Sequence, residues 1–272
     1  MTDDLYVPLP ARPAATVMLM RDTADGIALF LMRRHAAMEF AAGTVVFPGG
    51  GVDDRDRKAD IAWAGPPPAW WAQRFGVDNE LAEALVCAAA RETFEECGVL
   101  FAGPADDPGA IVGDASAYRE SRQALADRTL SFADFLRREN LVLRADLLRP
   151  WANWVTPENE RTRRYDTYFF VGALPEGQRA DGDNTESDRA EWATPRAAIA
   201  EFEAGRCFLL PPTWTQLDSL NGHTVADVLA VERQIVTVQP NLEIDVDNWI
   251  FEFFDSDRYH RARKAGGLGW RI

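Results

Sequence analysis

Arg91-Glu92-Thr93-Phe94-Glu95-Glu96-Cys97-Gly98-Val99 is the stretch that decides how this chain is read. It closes a segment, residues 81–97, in which Val86, Ala90, Thr93, Phe94 and Cys97 share one face at helical spacing. Gly98 stands where a helix commonly ends. Glu92, Glu95 and Glu96 lie at i, i+3 and i+4, so a helix gathers their carboxylates within an arc of roughly 100°. Carboxylates so placed repel by roughly 0.2–0.5 kcal/mol per pair on an open surface. They also sit at the helix C-terminus, where the macrodipole disfavours anions. A solvated acidic face is one reading; a bound cation is the other. Oxygen-only donors select a hard ion, Mg²⁺ or Mn²⁺, which in turn binds phosphate oxygens.

The chain around this segment has 272 residues, 47% of them hydrophobic and 26% charged, enough to bury a core. Its net charge of -14, without a basic tract, argues against stable nucleic-acid binding. A small phosphorylated substrate stays compatible, because bound metal reverses the local sign of an acidic pocket. No signal peptide or membrane-length apolar run is seen. Cys87, Cys97 and Cys207 lack metal spacing and fit a reducing compartment.

Residues 15–20 and 27–33 read as a strand hairpin across the turn at 22–26, and residues 43–47 as a short third strand stopped by Pro48 and the glycines 49–51. Residues 53–79 read as a polar, proline-rich insertion with a short helix at 68–75. Residues 116–139 read as one or two helices, with Ser131 as a cap. Strands are expected at 147–155 and 165–171, a polar loop at 179–188, and a helix after Thr194 and Pro195. Helices at 214–220 and 225–233 and a strand at 234–238 complete the pattern. Strands mixed with helices over one core imply an α/β (α+β) fold, including an α/β/α sandwich.

Upstream, Phe47-Pro48-Gly49-Gly50 offers bare backbone that can approach a metal or phosphate. With it, Glu83, Arg91, Glu92, Glu95, Glu96, Gly98 and Val99 resemble the signature of the Nudix hydrolase family. Two departures stand out. Thr93 replaces an apolar residue, and the signature glycine, assigned to Gly50, lies far more than six residues before Glu83. The resemblance implies an α/β/α sandwich with a mixed sheet and extra helical insertions. It implies one domain over residues 10–272, interrupted by an insertion at 51–80 inside the Nudix box and a helical one at 104–149. In such enzymes a metal-activated water attacks a phosphorus of a nucleoside diphosphate derivative. Glu92, Glu95 and Glu96 then ligate Mg²⁺ or Mn²⁺ or orient the water, with the Gly49 carbonyl as a further ligand. Arg91 acts in the catalytic set and, paired with Glu83, supports the helix, as Gly98 does at its end. Glu186 is the choice for an outlying ligand or base, with Asp188 and Glu191 as alternatives; which carboxylate is the general base stays open.

Three further segments narrow the resemblance: Cys87 to Glu96, Trp151 to Pro157 with Arg163 to Thr167, and Leu210 to Thr213. They are similar to a subgroup with an insertion inside the box, the mammalian peroxisomal coenzyme A diphosphatases (nucleoside diphosphate-linked moiety X motif 19). That implies a small-molecule nucleoside diphosphate substrate, coenzyme A or acyl-CoA, split to 3',5'-ADP and phosphopantetheine. NADH, ADP-ribose or another conjugate is the alternative, as is a noncatalytic nucleotide-binding module. Substrate contacts are expected at Arg34, Gly50, Arg163 and Arg164, with Trp70, Trp71, Trp151, Trp154 and Trp214 as candidates for stacking on a base. Gly269 to Ile272 matches no peroxisomal address, so a cytoplasmic location is the default expectation. A homodimer is left open.

Overall fold

The computed structural model describes residues 7–35, 43–57, 60–107, 109–184, 187–245 and 248–265. Its strands are β1 (Arg12–Thr23), β2 (Gly26–Arg34), β3 (Val45–Val46), β4 (Gly49–Gly51), β5 (Trp63–Ala64), β6 (Ala102–Pro104), β7 (Leu141–Arg144), β8 (Leu148–Val155), β9 (Tyr165–Ala173), β10 (Ser187–Ala193), β11 (Thr237–Val238), β12 (Asn241–Asp245) and β13 (Asn248–Glu252). The α-helices are α1 (Pro68–Phe75), α2 (Asn79–Cys97), α3 (Arg119–Ala126), α4 (Phe132–Arg138), α5 (Pro195–Glu203), α6 (Pro211–Leu220), α7 (Val225–Ala230) and α8 (Ser256–Ala265).

The main sheet runs β10-β2-β1-β9-β8-β11, with β3 added to β2 and β4 to β1. β1 pairs β9 in parallel and β2 antiparallel, so the sheet is mixed. Side chains alternate across a strand, and here each face feeds a different core. Ala15, Val17 and Leu19 join Phe30, Met32, Tyr168 and Phe170 in a cluster with α1 and α2. Met18 and Met20 join Leu29, Leu31, Phe169 and Val171 in a cluster with α5, α6 and α8. Helices thus cover both faces, the expected α/β/α arrangement. Among the described residues, no helix is long and apolar enough to cross a membrane.

The expected hairpin forms, with Thr23 opposite Gly26. Helix α1 spans the residues read for it, and Ser131 caps α4 by accepting the Asp134 N–H. The glycine run differs from expectation. Gly49 to Gly51 are not a bare turn after a strand but a strand themselves, paired with Thr16 to Ala14. A Cβ on Gly49 would lie 2.5 Å from the Ala15 carbonyl oxygen, so glycine is what permits this close pairing. The polar loop ends earlier than read, since Ser187 already begins β10 on the edge of β2. The hairpin of β12 and β13 and helix α8 were not read from the sequence at all; Tyr259 of α8 is fully buried in the second cluster.

The stretches read as insertions meet each other and α2. Trp63 and Ala64 pair in parallel with Leu143 and Arg144, and β7 pairs β6. Phe135 of α4 stacks on Phe94 of α2 with ring centroids 5.3 Å apart. Both rings are buried, so Phe135→Ala should cost about 3–5 kcal/mol, read as a lower urea midpoint. An unchanged midpoint would contradict the docking of α4 on α2.

Candidate active site

Helix α2 begins at Asp78, whose side chain accepts the Leu81 N–H, and ends at Gly98, left-handed at φ +70°. Val86, Ala90, Thr93, Phe94 and Cys97 are all buried, as their spacing required. The opposite edge faces β4. There the Gly49 N–H donates to Glu96 Oε2 at 2.7 Å. A Cβ on Gly50 would sit 2.5 Å from Glu92 Oε1, so a missing side chain keeps room beside that carboxylate.

Arg91 spends all five guanidinium N–H groups on the surrounding loop and helix. Nε and Nη2 donate to the two oxygens of Asp56, each at 2.8 Å. Nη2 also reaches the Gly51 carbonyl at 3.1 Å, while Nη1 donates to Glu92 and Glu95 at 2.8 and 3.2 Å. The expected Arg91–Glu83 pair is therefore not formed. Asp56, 1% exposed, takes that place. Its position is fixed by a turn in which the Asp53 N–H donates to Asp56 Oδ2. Nothing in the sequence singled out Asp56 among the acidic residues of its segment, because its distance from Arg91 follows no helical spacing.

Four carbonyls at the end of α2 find partners from three sources. Phe94 accepts from Gly98, Glu95 from Arg122 Nε, Glu96 from Asn184 Nδ2, and Cys97 from the Asp181 N–H. Arg122, on α3, also donates from Nη1 to both oxygens of Asp181 at 2.8 and 3.0 Å. The loop leading towards residue 186 is thereby fastened to the helix carrying the glutamates. Arg122, Asp181 and Asn184 escaped the sequence reading. Glu186 lies outside the described residues. Its alternatives point elsewhere: Asp188 accepts from Arg33 at 2.6 Å and Glu191 from Arg189 at 2.9 Å, both near the surface.

Asp56, Glu92 and Glu95 are three carboxylates sharing one guanidinium, largely out of water, with Glu96 beside them on the Gly49 N–H. Burial, with Arg91 opposing and Glu95 adding, pushes the Glu92 carboxyl up to about 7. Burial also raises Glu95. As placed, no three acidic, histidine or cysteine side chains among the described residues converge on one point that could hold an ion. Glu92 and Glu95 face Arg91 instead, and Glu96 faces Gly49. The hard oxygen donors, the surplus negative charge and the space beside Gly50 nonetheless fit Mg²⁺ or Mn²⁺.

The arginines proposed for substrate divide. Arg164 is buried, and its guanidinium donates to the carbonyls of Thr156, Pro157 and Leu9. It clamps backbone, so its role is structural and not substrate contact. Arg163 is exposed just before β9, and Arg34 ends β2 with its N–H on the Thr44 carbonyl. The tryptophans proposed for base stacking are mostly core: Trp71, Trp151, Trp154 and Trp214 are buried. Trp70 is covered by Arg74, 3.5 Å from its ring centre.

The family model of the NUDT19 Nudix domain matches residues 67–220, more than half of the chain. The chain belongs to this Nudix family. It is 29% identical over 231 residues to the acyl-coenzyme A diphosphatase NUDT19 of Homo sapiens, covering 72% of this chain and 61% of that protein. For the Xenopus laevis acyl-coenzyme A diphosphatase NUDT19 the identity is 25% over 226 residues, covering 71% and 59%. The match thus spans about three fifths of these relatives' length. The crystal structure of a Nudix hydrolase from Alicyclobacillus acidocaldarius superposes with a TM-score of 0.64 at 25% identity, covering 83% of this chain and 98% of that one.

Removing Asp56 leaves two of the five buried Arg91 N–H groups unpaired, so Asp56→Ala should lose about 3–5 kcal/mol of stability. Glu83→Gln should change little. Chemical denaturation checks both, and equal effects would contradict the Arg91–Asp56 assignment. A raised carboxyl favours the folded state below its ordinary pKa of 4.5, and that contribution is lost as pH rises through about 7. In metal-free buffer the melting temperature should therefore fall from pH 5 to 8, and fall less in Glu92→Gln. Added Mn²⁺ should raise it most above pH 7, where Glu92 has lost its proton.

Proposed function

We propose that the chain is a divalent-metal-dependent hydrolase cleaving the diphosphate linkage of a nucleoside diphosphate derivative. Coenzyme A or acyl-CoA is the first choice, giving 3',5'-ADP and (acyl)phosphopantetheine. The observation carrying this reading is the meeting of Glu92, Glu95 and Glu96 with the glycine strand, organised on one buried arginine. The coenzyme A preference is supported by the similarity to the human and Xenopus acyl-coenzyme A diphosphatases.

In this reading Glu92, Glu95 and Glu96 hold Mg²⁺ or Mn²⁺ together with the Gly49 carbonyl, and Glu186 supplies an outlying carboxylate. The ion, when bound, offsets diphosphate charge and lowers the pKa of the attacking water. Arg91 keeps Glu92 and Glu95 in place, and Asp56 keeps Arg91 in place. Glu96, anchored by the Gly49 N–H, stays within reach of the loop that Asn184 fastens. Gly50 leaves space for phosphate oxygens, and Arg34 and Arg163 contact the substrate. The free thiols Cys87, Cys97 and Cys207 support the cytosol as the compartment. The three intact glutamates weigh against the alternative of a noncatalytic binding module.

The test is a panel of coenzyme A, acetyl-CoA, NADH and ADP-ribose with Mg²⁺ or Mn²⁺, followed by product identity. Coenzyme A should yield 3',5'-ADP, and Glu96→Gln should lose about 10²-fold or more in kcat. Turnover of ADP-ribose alone would discard the coenzyme A preference. No turnover of any member would sink the enzyme reading.

A further inference from the structure

The turn Asp54–Asp56 and helix α4 form the walls of an open cleft of about 470 Å³. Arg55, Arg57, Arg128 and Arg137 line it, with Asp134 as the acidic residue among the lining groups. This is a basic surface on a chain of net charge -14. Two of the arginines are committed. Arg137 donates to Asp134 at 2.6 Å, and Arg55 donates to both oxygens of Asp53. Arg55 also crosses the cleft to the carbonyls of Arg128 and Leu130, at 3.1 and 3.2 Å, tying the walls together. The side chains of Arg57 and Arg128 make no hydrogen bond or ion pair among the described residues.

We propose that this cleft binds a phosphomonoester of the substrate, the group that coenzyme A carries on its ribose 3' carbon. The proposal rests on the diphosphatase reading and specifies how the substrate is recognised. Arg55 and Arg57 flank Asp56, which holds Arg91, which holds Glu92 and Glu95. The cleft wall is therefore joined to the glutamates through two side chains, Asp56 and Arg91, because Arg55, Asp56 and Arg57 are consecutive residues. A nucleotide with a 5'-diphosphate and a 3'-phosphate presents two anionic centres on one sugar ring, which matches two adjacent sites of this kind. The 3'-phosphate is close to a dianion at neutral pH, and guanidinium forks suit its oxygens. NADH and ADP-ribose lack that group, so the cleft would discriminate against them.

The experiment compares coenzyme A with dephospho-coenzyme A in the wild type and in the double variant Arg57→Gln/Arg128→Asn. Arg128 has φ +58°, a backbone conformation asparagine also tolerates, so the second change removes charge without added strain. The ratio of kcat/KM for coenzyme A over dephospho-coenzyme A should fall by about tenfold in the variant, mainly through KM. Calorimetry on the wild type should show 3',5'-ADP binding more tightly than 5'-AMP, an outcome independent of whether the variant folds. An unchanged ratio, or equal binding of the two nucleotides, would overturn the proposal. If the wild type turns over neither coenzyme A nor dephospho-coenzyme A, the coenzyme A reading fails, and the two nucleotides still decide the cleft.

Discussion

A single guanidinium organises the catalytic end of this molecule. Arg91 is buried, and burial opposes its charge; Glu92, Asp56 and Glu95 more than offset that and raise its pKa. A buried cation without partners costs several kcal/mol, so every element that supplies one is fixed in place. Asp56 brings the turn after the glycine strand. The Gly51 carbonyl brings β4, and Glu92 and Glu95 are oriented from the same helix. The surplus of carboxylates over guanidinium is then the electrostatic condition that suits a divalent ion.

The sheet supplies the other half of that geometry. Gly49 to Gly51 lie against Thr16 to Ala14, so the backbone rather than side chains faces the glutamates. A methyl group at Gly49 would enter the backbone of β1, and one at Gly50 would enter the Glu92 carboxylate. The glycines therefore do two jobs at once, close strand pairing and close approach to the site.

The segments beyond a minimal sandwich are engaged at both ends of the same helix. Residues 53–56 hold Arg91, and α3 sends Arg122 to the carbonyl of Glu95 while gripping Asp181. A helix C-terminus carrying three glutamates is a place where cationic partners reduce repulsion. Arg122 provides that charge and anchors the loop that continues towards Glu186.

The sequence by itself determined the helix of residues 79–97, its glycine end, its buried face and the three glutamates on one side. These follow from local periodicity and capping, which need no tertiary partner. It also determined the hairpin and most helices, and through its motif the family. What only the tertiary structure decided are the long-range partners. Asp56 replaces Glu83 because a turn far along the chain reaches a buried arginine better than a residue two helical turns away. Arg164 turns to backbone carbonyls because its side chain is buried among them. Arg122, Asp181 and Asn184 meet α2 only once the loop and α3 have folded onto it. The weakly patterned strands β12 and β13 and helix α8 gain their stability from packing Tyr259 and Phe251 on the second core, a contact that no local pattern encodes.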